Sequence, residues 1–290
     1  MICQFSAPDD IQVKYIQGDV NSNMSPQMQK NHPYFHSLYE ILFVKHGTAD
    51  FIVRGKQYCL KAGSLLFISN LENHSISAHS TAYSRYSVRV SNKFITTFIK
   101  APELLSVFNQ RPADFCHKYD CTAQQEEYFS QIFDLIDNEY KQRQDYWDSM
   151  VAGKIYDMLV LLYRSAPQMF PASNSKAGQT TVFEIQNYIA SHLGEDLTLS
   201  EIADRFYINK FYLSHIFKEI TGYNLKEYIV LERISKAKDM LLNSSLSVAD
   251  ISESLGFNNT SHFIRTFKSM EKLPPNQYRK KAAMRQRLQY

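Results

Sequence analysis

Two short stretches carry side chains of the kind that read nucleic acid. The first holds Lys210, Ser214, His215 and Lys218; the second holds Asn258, Asn259, Thr260, Ser261, His262, Arg265 and Lys268. An arginine can grip both acceptors of guanine, an asparagine can do the same for adenine, and lysines meet phosphates as point charges. Arg265 is the strongest candidate for guanine, and Asn258 or Asn259 for adenine or a phosphate. The plain alternative for each polar residue is a solvated helix surface.

A second constellation lies near the other end of the chain. His36, Glu40 and His74, with Tyr39 and Tyr58, could hydrogen-bond a small molecule. Two imidazoles and a carboxylate also suit iron or zinc. His36 is followed by Ser37 and Leu38, however, so the paired histidines of a metal-dependent barrel enzyme are absent. Ligand contact or a purely structural role is therefore expected, with no metal, no cofactor and no catalytic residue. Cys3, Cys59, Cys116 and Cys121 show no paired spacing and read as reduced thiols rather than a zinc site or disulfide framework.

The elements that must position these groups differ between the two halves. From Tyr39 to His79 short β-branched and aromatic runs alternate with turns at Gly47, Gly55 and Gly63, and strand character returns over Tyr83 to Val90. Turn signals about eight residues apart suggest an antiparallel meander or barrel. From about residue 92 the apolar period becomes helical. Gln124 to Lys141 carries Phe129, Ile132, Phe133, Leu135, Ile136 and Tyr140 on one face; Tyr146 to Arg164 carries Trp147, Met150, Val151, Ile155, Met158, Leu159 and Leu162. These two helices either cover the barrel or form a dimer seam. The polar segment PQMFPASNSKAGQTT, residues 167–181, reads as a linker. The expected domains are thus 1–166, a linker at 167–181, and 182–290.

The second half contains a repeat. Ile202 matches Ile251 at a spacing of 49, whereas Leu213 and Phe263, Phe217 and Phe267, Lys218 and Lys268, and Tyr228 and Tyr278 match at 50. Each copy reads as a short helix, a tight turn and a longer helix with a polar outer face, which is the plan of a helix-turn-helix. Gly256 falls where a left-handed cap needs no Cβ. The formal net charge of +3 lies wholly after residue 182, because the preceding residues carry equal numbers of basic and acidic groups. So small an excess does not by itself imply nucleic acid; the motifs do.

Residues 183–282 resemble the DNA-binding domain of the AraC/XylS family of transcription regulators. The phrases YLSHIFKEITG, RISKAKDMLL, ISESLGF, HFIRTFK and P-x-x-YR carry the resemblance. It implies two helix-turn-helix units joined by a long helix at about Leu225 to Leu242, with the two stretches named first on the recognition helices, and it adds Asn209 and Phe211 to the first of them as DNA contacts. Three departures stand out: Ser252 for the usual Ala, Lys272 and Pro274 for Gly and Ser/Thr, and no central Arg in the first recognition helix. HSLYEILFVKHGTADFIVRGKQYCLKAGSLLFISNLENHSI resembles, more loosely, the cupin-like sensor domain of many family members. Tyr34, Phe35, Tyr39, Tyr58 and Tyr86 are possible pocket walls, and aromatic linings suit a sugar.

The sequence therefore predicts a multidomain α+β chain: an N-terminal cupin-like β-barrel with flanking helices, then an all-α double helix-turn-helix domain. The expected function is sequence-specific DNA binding, as an activator answering a small-molecule effector and not as an enzyme. Double-stranded DNA, an effector and a second copy of the chain are the expected partners, and the family resemblance adds RNA polymerase. No run of apolar residues is long enough to span a membrane, and the first residues, MICQFSAPDD, lack the pattern of a signal peptide, so a cytoplasmic location is expected. Two other readings remain: a constitutive DNA-binding protein whose first half only dimerises, and a metal-dependent cupin enzyme fused to a DNA-binding domain.

Overall fold

The structure, a computed structural model, describes residues 10–17, 35–78, 82–109, 115–171 and 176–287. Tyr34 and Cys3 lie outside them. The chain forms two compact units: residues 38–180 with the first strand, and residues 181–287 with the short segment 35–37.

The first unit is built on two antiparallel sheets. Strands β1 (Ile11–Gln17), β7 (Ser84–Val90), β2 (Tyr39–His46), β5 (Ser64–Ile68) and β8 (Lys118–Asp120) form one, in that order. Strands β4 (Lys56–Lys61), β3 (Thr48–Val53) and β6 (His74–Ala78) form the other. Gly47, Gly55 and Gly63 adopt φ of 78°, 80° and 76° at the expected turns, a region that costs a residue with a Cβ but not glycine. In β3 and β4, Ala49, Phe51, Val53, Tyr58 and Leu60 are buried between more open neighbours, so this sheet buries one face. By contrast β2 and β7 are buried on both faces over almost their whole length. One face packs on helices and the other looks into the space between the sheets.

The covering helices are α1 (Asn92–Phe98), α2 (Pro102–Asn109), α3 (Ala123–Gln142) and α4 (Trp147–Ser165). Thr122 opens α3 with a capping box closed by Gln125, which satisfies backbone donors the helix itself leaves unpaired. Phe133 of α3 stacks on Phe43 at 5.1 Å and on Tyr86 at 5.7 Å. The helices therefore cover the sheet. Leu135 and Met150, assigned by spacing to the buried stripes, are instead about half exposed. Each sits one step off the stripe that faces the protein.

The stretch 167–181 contains a 3-10 turn at Pro167–Met169, and helix α5 (Lys176–Ser191) begins inside it. The second unit continues with α6 (Leu199–Arg205), α7 (Lys210–Thr221), α8 (Leu225–Asn243), α9 (Val248–Ser254), α10 (Thr260–Glu271) and α11 (Pro275–Arg287). The repeat extends to the helix caps. Thr198 and Ser247 open α6 and α9 with capping boxes, and Asn209 and Asn259 cap α7 and α10. It extends to the core as well: Phe217 meets Tyr228 at 5.1 Å, Phe267 meets Tyr278 at 5.4 Å, and both ring pairs are perpendicular at 88°.

Segment 35–37 is pinned to α8. The Ser37 amide donates to Ser235 Oγ at 3.0 Å, and Lys238 Nζ donates to the Phe35 carbonyl at 2.6 Å. Lys238 is 3% exposed, and its ammonium also lies 4.1 Å from the Phe35 ring centroid and 2.9 Å from Glu271. A buried ammonium needs such partners, because desolvation alone would cost several kcal/mol (about that much per ion).

Candidate DNA interface and barrel interior

In each helix-turn-helix the apolar stripe of the second helix fixes which side chains face outward. Leu213, Ile216, Phe217 and Ile220 of α7 are buried, as are Phe263 and Phe267 of α10. Lys210, Phe211, Ser214, His215 and Lys218 are consequently exposed, as are Ser261, His262, Arg265 and Lys268; Thr260 is half-buried and Asn258 is exposed in the turn. The helix period alone brings these groups to one outer face per copy.

The asparagines do a second job. Asn209 Oδ1 accepts from the amides of Phe211 at 2.8 Å and Tyr212 at 3.4 Å; Asn259 Oδ1 accepts from Ser261 at 2.7 Å and His262 at 3.3 Å. Capping occupies the acceptor oxygen of each, which takes away half of the two-point contact an asparagine offers to adenine. Asn258 has no such duty. His215 pairs with Glu219 at 3.7 Å on the surface of α7.

The two copies differ around their turns. Tyr207 takes φ 53° where the second copy has Gly256 at φ 68°. Tyr207 is 96% exposed and Phe211 74%, with Tyr212 partly exposed beside them. Tyr207 and Tyr212 were not among the expected contacts; a tyrosine facing a glycine in the aligned repeat was the signal available. Lys272, in the position of Gly222, closes α10 in the left-handed region at φ 60°. Ser252 Oγ is buried with no hydrogen-bond partner among the described residues, where the first copy has Ala203.

In the first unit the strand register sorts the candidate ligand residues. Glu40 pairs across with Arg89, and Val44 with Arg85, on the face that looks between the sheets. Glu40 lies 3.1 Å from Arg89 Nε and 3.6 Å from His74 Nε2, and also accepts from Ser87 Oγ. His74 Nδ1 contacts the Glu72 carbonyl at 2.8 Å. Burial lowers the His74 pKa, against the pull of Glu40, and so favours the neutral ring. Tyr58 bonds His117 Nδ1 at 2.9 Å, and His117 Nε2 meets Glu72 at 3.0 Å, with Arg54 on the same carboxylate at 3.1 Å.

Glu40, His74 and Tyr58 are thus tied into buried polar networks of the first unit. Tyr39 points to the opposite face, where its hydroxyl donates to Asn109 Oδ1 at 2.7 Å. Tyr86 also faces the helices and bonds Asp134. Phe35 and His36 are buried and belong to the segment grouped with the second unit. Arg85, Ser87 and Arg89 were missed. In SRYSVRV they occupy the polar positions of an alternating strand, which ordinarily face water.

Two family models match the chain. Residues 25–147 match the model of an AraC-like ligand binding domain, and residues 202–281 match that of a helix-turn-helix domain. The Msm operon regulatory protein of Streptococcus mutans is 23% identical over 86% of each chain. The transcriptional activator RhaS of Citrobacter koseri is 23% identical over 81% of this chain and 82% of its own. Among solved structures, ToxT of Vibrio cholerae superposes with a TM-score of 0.62 at 15% identity, covering 94% of this chain and 98% of that one. That likeness is one of fold: a β-rich domain of antiparallel sheets followed by a helical region. No described helix is long and apolar enough to cross a membrane. With a ligand-binding domain ahead of two helix-turn-helix units, the chain belongs to the AraC/XylS family of transcription regulators.

Proposed function

We propose that this protein is a cytoplasmic, sequence-specific transcription activator, not an enzyme, that answers a small molecule held in the barrel of its first unit. The observation that carries the DNA reading is the pair of matched recognition helices, α7 and α10, whose outer faces are open while the stripes Leu213, Ile216, Phe217, Ile220 and Phe263, Phe267 are buried. Arg265 reads guanine in the second half of the site. Lys210, Lys218 and Lys268 contact phosphates and place the helices in successive major grooves. A homodimer would present two such domains, and the effector would shift the population between their arrangements. The activator name of the RhaS relative supports the sign of the response, with RNA polymerase as the partner of the bound complex. A sugar remains the first effector class to screen, on the aromatic content of the first unit.

The test is fluorescence anisotropy of the full chain on DNA from upstream of its own and neighbouring genes, over a salt series with random-sequence competitor. Saturable binding that survives competitor is expected. The slope of log affinity against log salt should fall by about 0.9 for each phosphate-contacting lysine removed. Binding abolished by competitor at every salt, with and without candidate effectors, would overturn the proposal. A constitutive regulator would bind DNA in the same way, yet no small molecule would change its melting temperature or its affinity.

A further inference from the structure

Among the described residues of the first unit, the buried charges do not balance locally. Glu40 is met by Arg89 at 3.1 Å, and Glu72 by Arg54 at 3.1 Å and His117 at 3.0 Å. Arg85 of β7, equally buried at 3% exposure, has no carboxylate within ion-pair distance among the described residues. Its Nε and Nη1 have no hydrogen-bond partner among them either. The guanidinium lies against two rings, with Cζ 5.7 Å from both the Phe51 and Tyr83 centroids. Tyr83 is fully buried; its hydroxyl lies beside the Arg85 guanidinium and has no other hydrogen-bond partner among the described residues. Burial raises the Tyr83 pKa, so the phenol keeps its proton and remains a donor.

An arginine does not discharge by losing its proton. A buried one is therefore paired or strongly unfavourable, and breaking a buried pair is among the costliest single changes. Two aromatic faces hold the plane of Arg85, and the neutral Tyr83 hydroxyl lies beside it, but neither supplies a counter-charge. The missing partner is an acceptor carrying negative charge, and the adjacent phenol offers one further donor to it.

We infer that Arg85 and Tyr83 form the anion-recognising part of the effector site, and that the effector carries a carboxylate or phosphate group. This rests on the proposed effector-binding role of the barrel and narrows it from small molecules in general to oxyanions. The register places the site between the sheets: Arg85 lies across from Val44 and Ile16 on the face shared with Glu40 and Arg89. A neutral sugar would leave the Arg85 charge without a counter-charge.

The test is a melting-temperature series on the full chain in phosphate-free buffer at constant ionic strength. The probes are glucose, glucuronate, glucose 6-phosphate and inorganic phosphate; the two acidic sugars separate carboxylate from phosphate recognition. At least one anionic probe should raise the melting temperature by several degrees while glucose leaves it unchanged. Arg85→Met should abolish that rise and, without probe, melt no lower than the parent protein, because an apolar residue of similar length removes an uncompensated charge. Tyr83→Phe should weaken the anion response several-fold in apparent affinity. The assignment is overturned if no anionic probe shifts the transition, if Arg85→Met responds as the parent does, or if that variant alone melts several degrees lower. DNA anisotropy on the same samples separates the two readings: specific binding with no anion response overturns the anion site and leaves the regulator standing.

Discussion

The two helix-turn-helix units share one plan and solve it with different residues. In the second, the turn is closely covered. A Cβ on Gly256 would lie 2.6 Å from Arg233 Nη2, 2.8 Å from the Leu193 carbonyl and 3.0 Å from the Gly194 carbonyl. In the first, the same left-handed position carries Tyr207 with its side chain almost wholly in solvent. A repeat can therefore conserve backbone geometry while one copy requires glycine for packing and the other accepts strain to present an aromatic ring. The outward faces differ in the same way. Phe211 stands where the second copy has Ser261, and no arginine matches Arg265. On the proposed reading, the second helix-turn-helix would read with charge and hydrogen bonds, whereas the first would offer apolar surface, for which the thymine methyl is the available partner in the major groove.

Six changes would break or sharpen this contrast. Gly256→Tyr should have the largest effect, destabilising the second unit by about 3 kcal/mol or more through backbone clash and an unfavourable φ, read by urea unfolding of the full chain. Tyr207→Ala, at the matching position, should lower stability by less than about 0.5 kcal/mol; equal losses would mean the turns are not packed differently. Arg265→Ala should weaken specific binding by about 1–3 kcal/mol and relax one base position, measured by selection from a randomised site. An unchanged base preference would remove Arg265 from the reading.

Ser252→Ala should stabilise the second unit by about 1 kcal/mol, because it deletes a buried hydroxyl with no partner among the described residues and restores the residue type of Ala203; a loss in the same urea unfolding would show the hydroxyl to be bonded. Replacing thymidines of the first half-site by deoxyuridine should cost about 0.8 kcal/mol for each contacted methyl. Phe211→Ala should erase that cost. The same penalty in wild type and Phe211→Ala would place the methyl contact elsewhere.

Much of the second unit was legible in the sequence. The matched spacing of Ile202 with Ile251 and Phe217 with Phe267 reports helices that pack on themselves, and such local contacts leave a periodic trace. The outward positions of Lys210, His215, Arg265 and Lys268 follow from that period. The caps were less visible. An asparagine before a helix can be a cap or a base contact, and Asn209 and Asn259 show their capping bonds only once the turns are placed.

In the first unit the strands from Tyr39 to Val90 and both long helices were also legible. Which face of β7 turns inward was not. Its neighbours β1 and β2 are brought together from distant parts of the chain, and alternation in SRYSVRV says only that two faces differ. The covering helices took the apolar face, so the arginines went inside. Strand β1 escaped notice for a related reason: IQVKYIQ has little to distinguish it until it pairs with β7 over its whole length.

The clasp of Lys238 on Phe35 bears on how such regulators are recombined. A chimera that joins a foreign sensor domain at the 167–181 stretch would exchange residues 35–37 along with the barrel. Lys238 would then lose the Phe35 carbonyl and the Ser235 hydroxyl its Ser37 amide, although no residue after 181 had been altered. The DNA-binding unit is discontinuous in sequence, so a transplant that respects its fold must carry two pieces of chain rather than one.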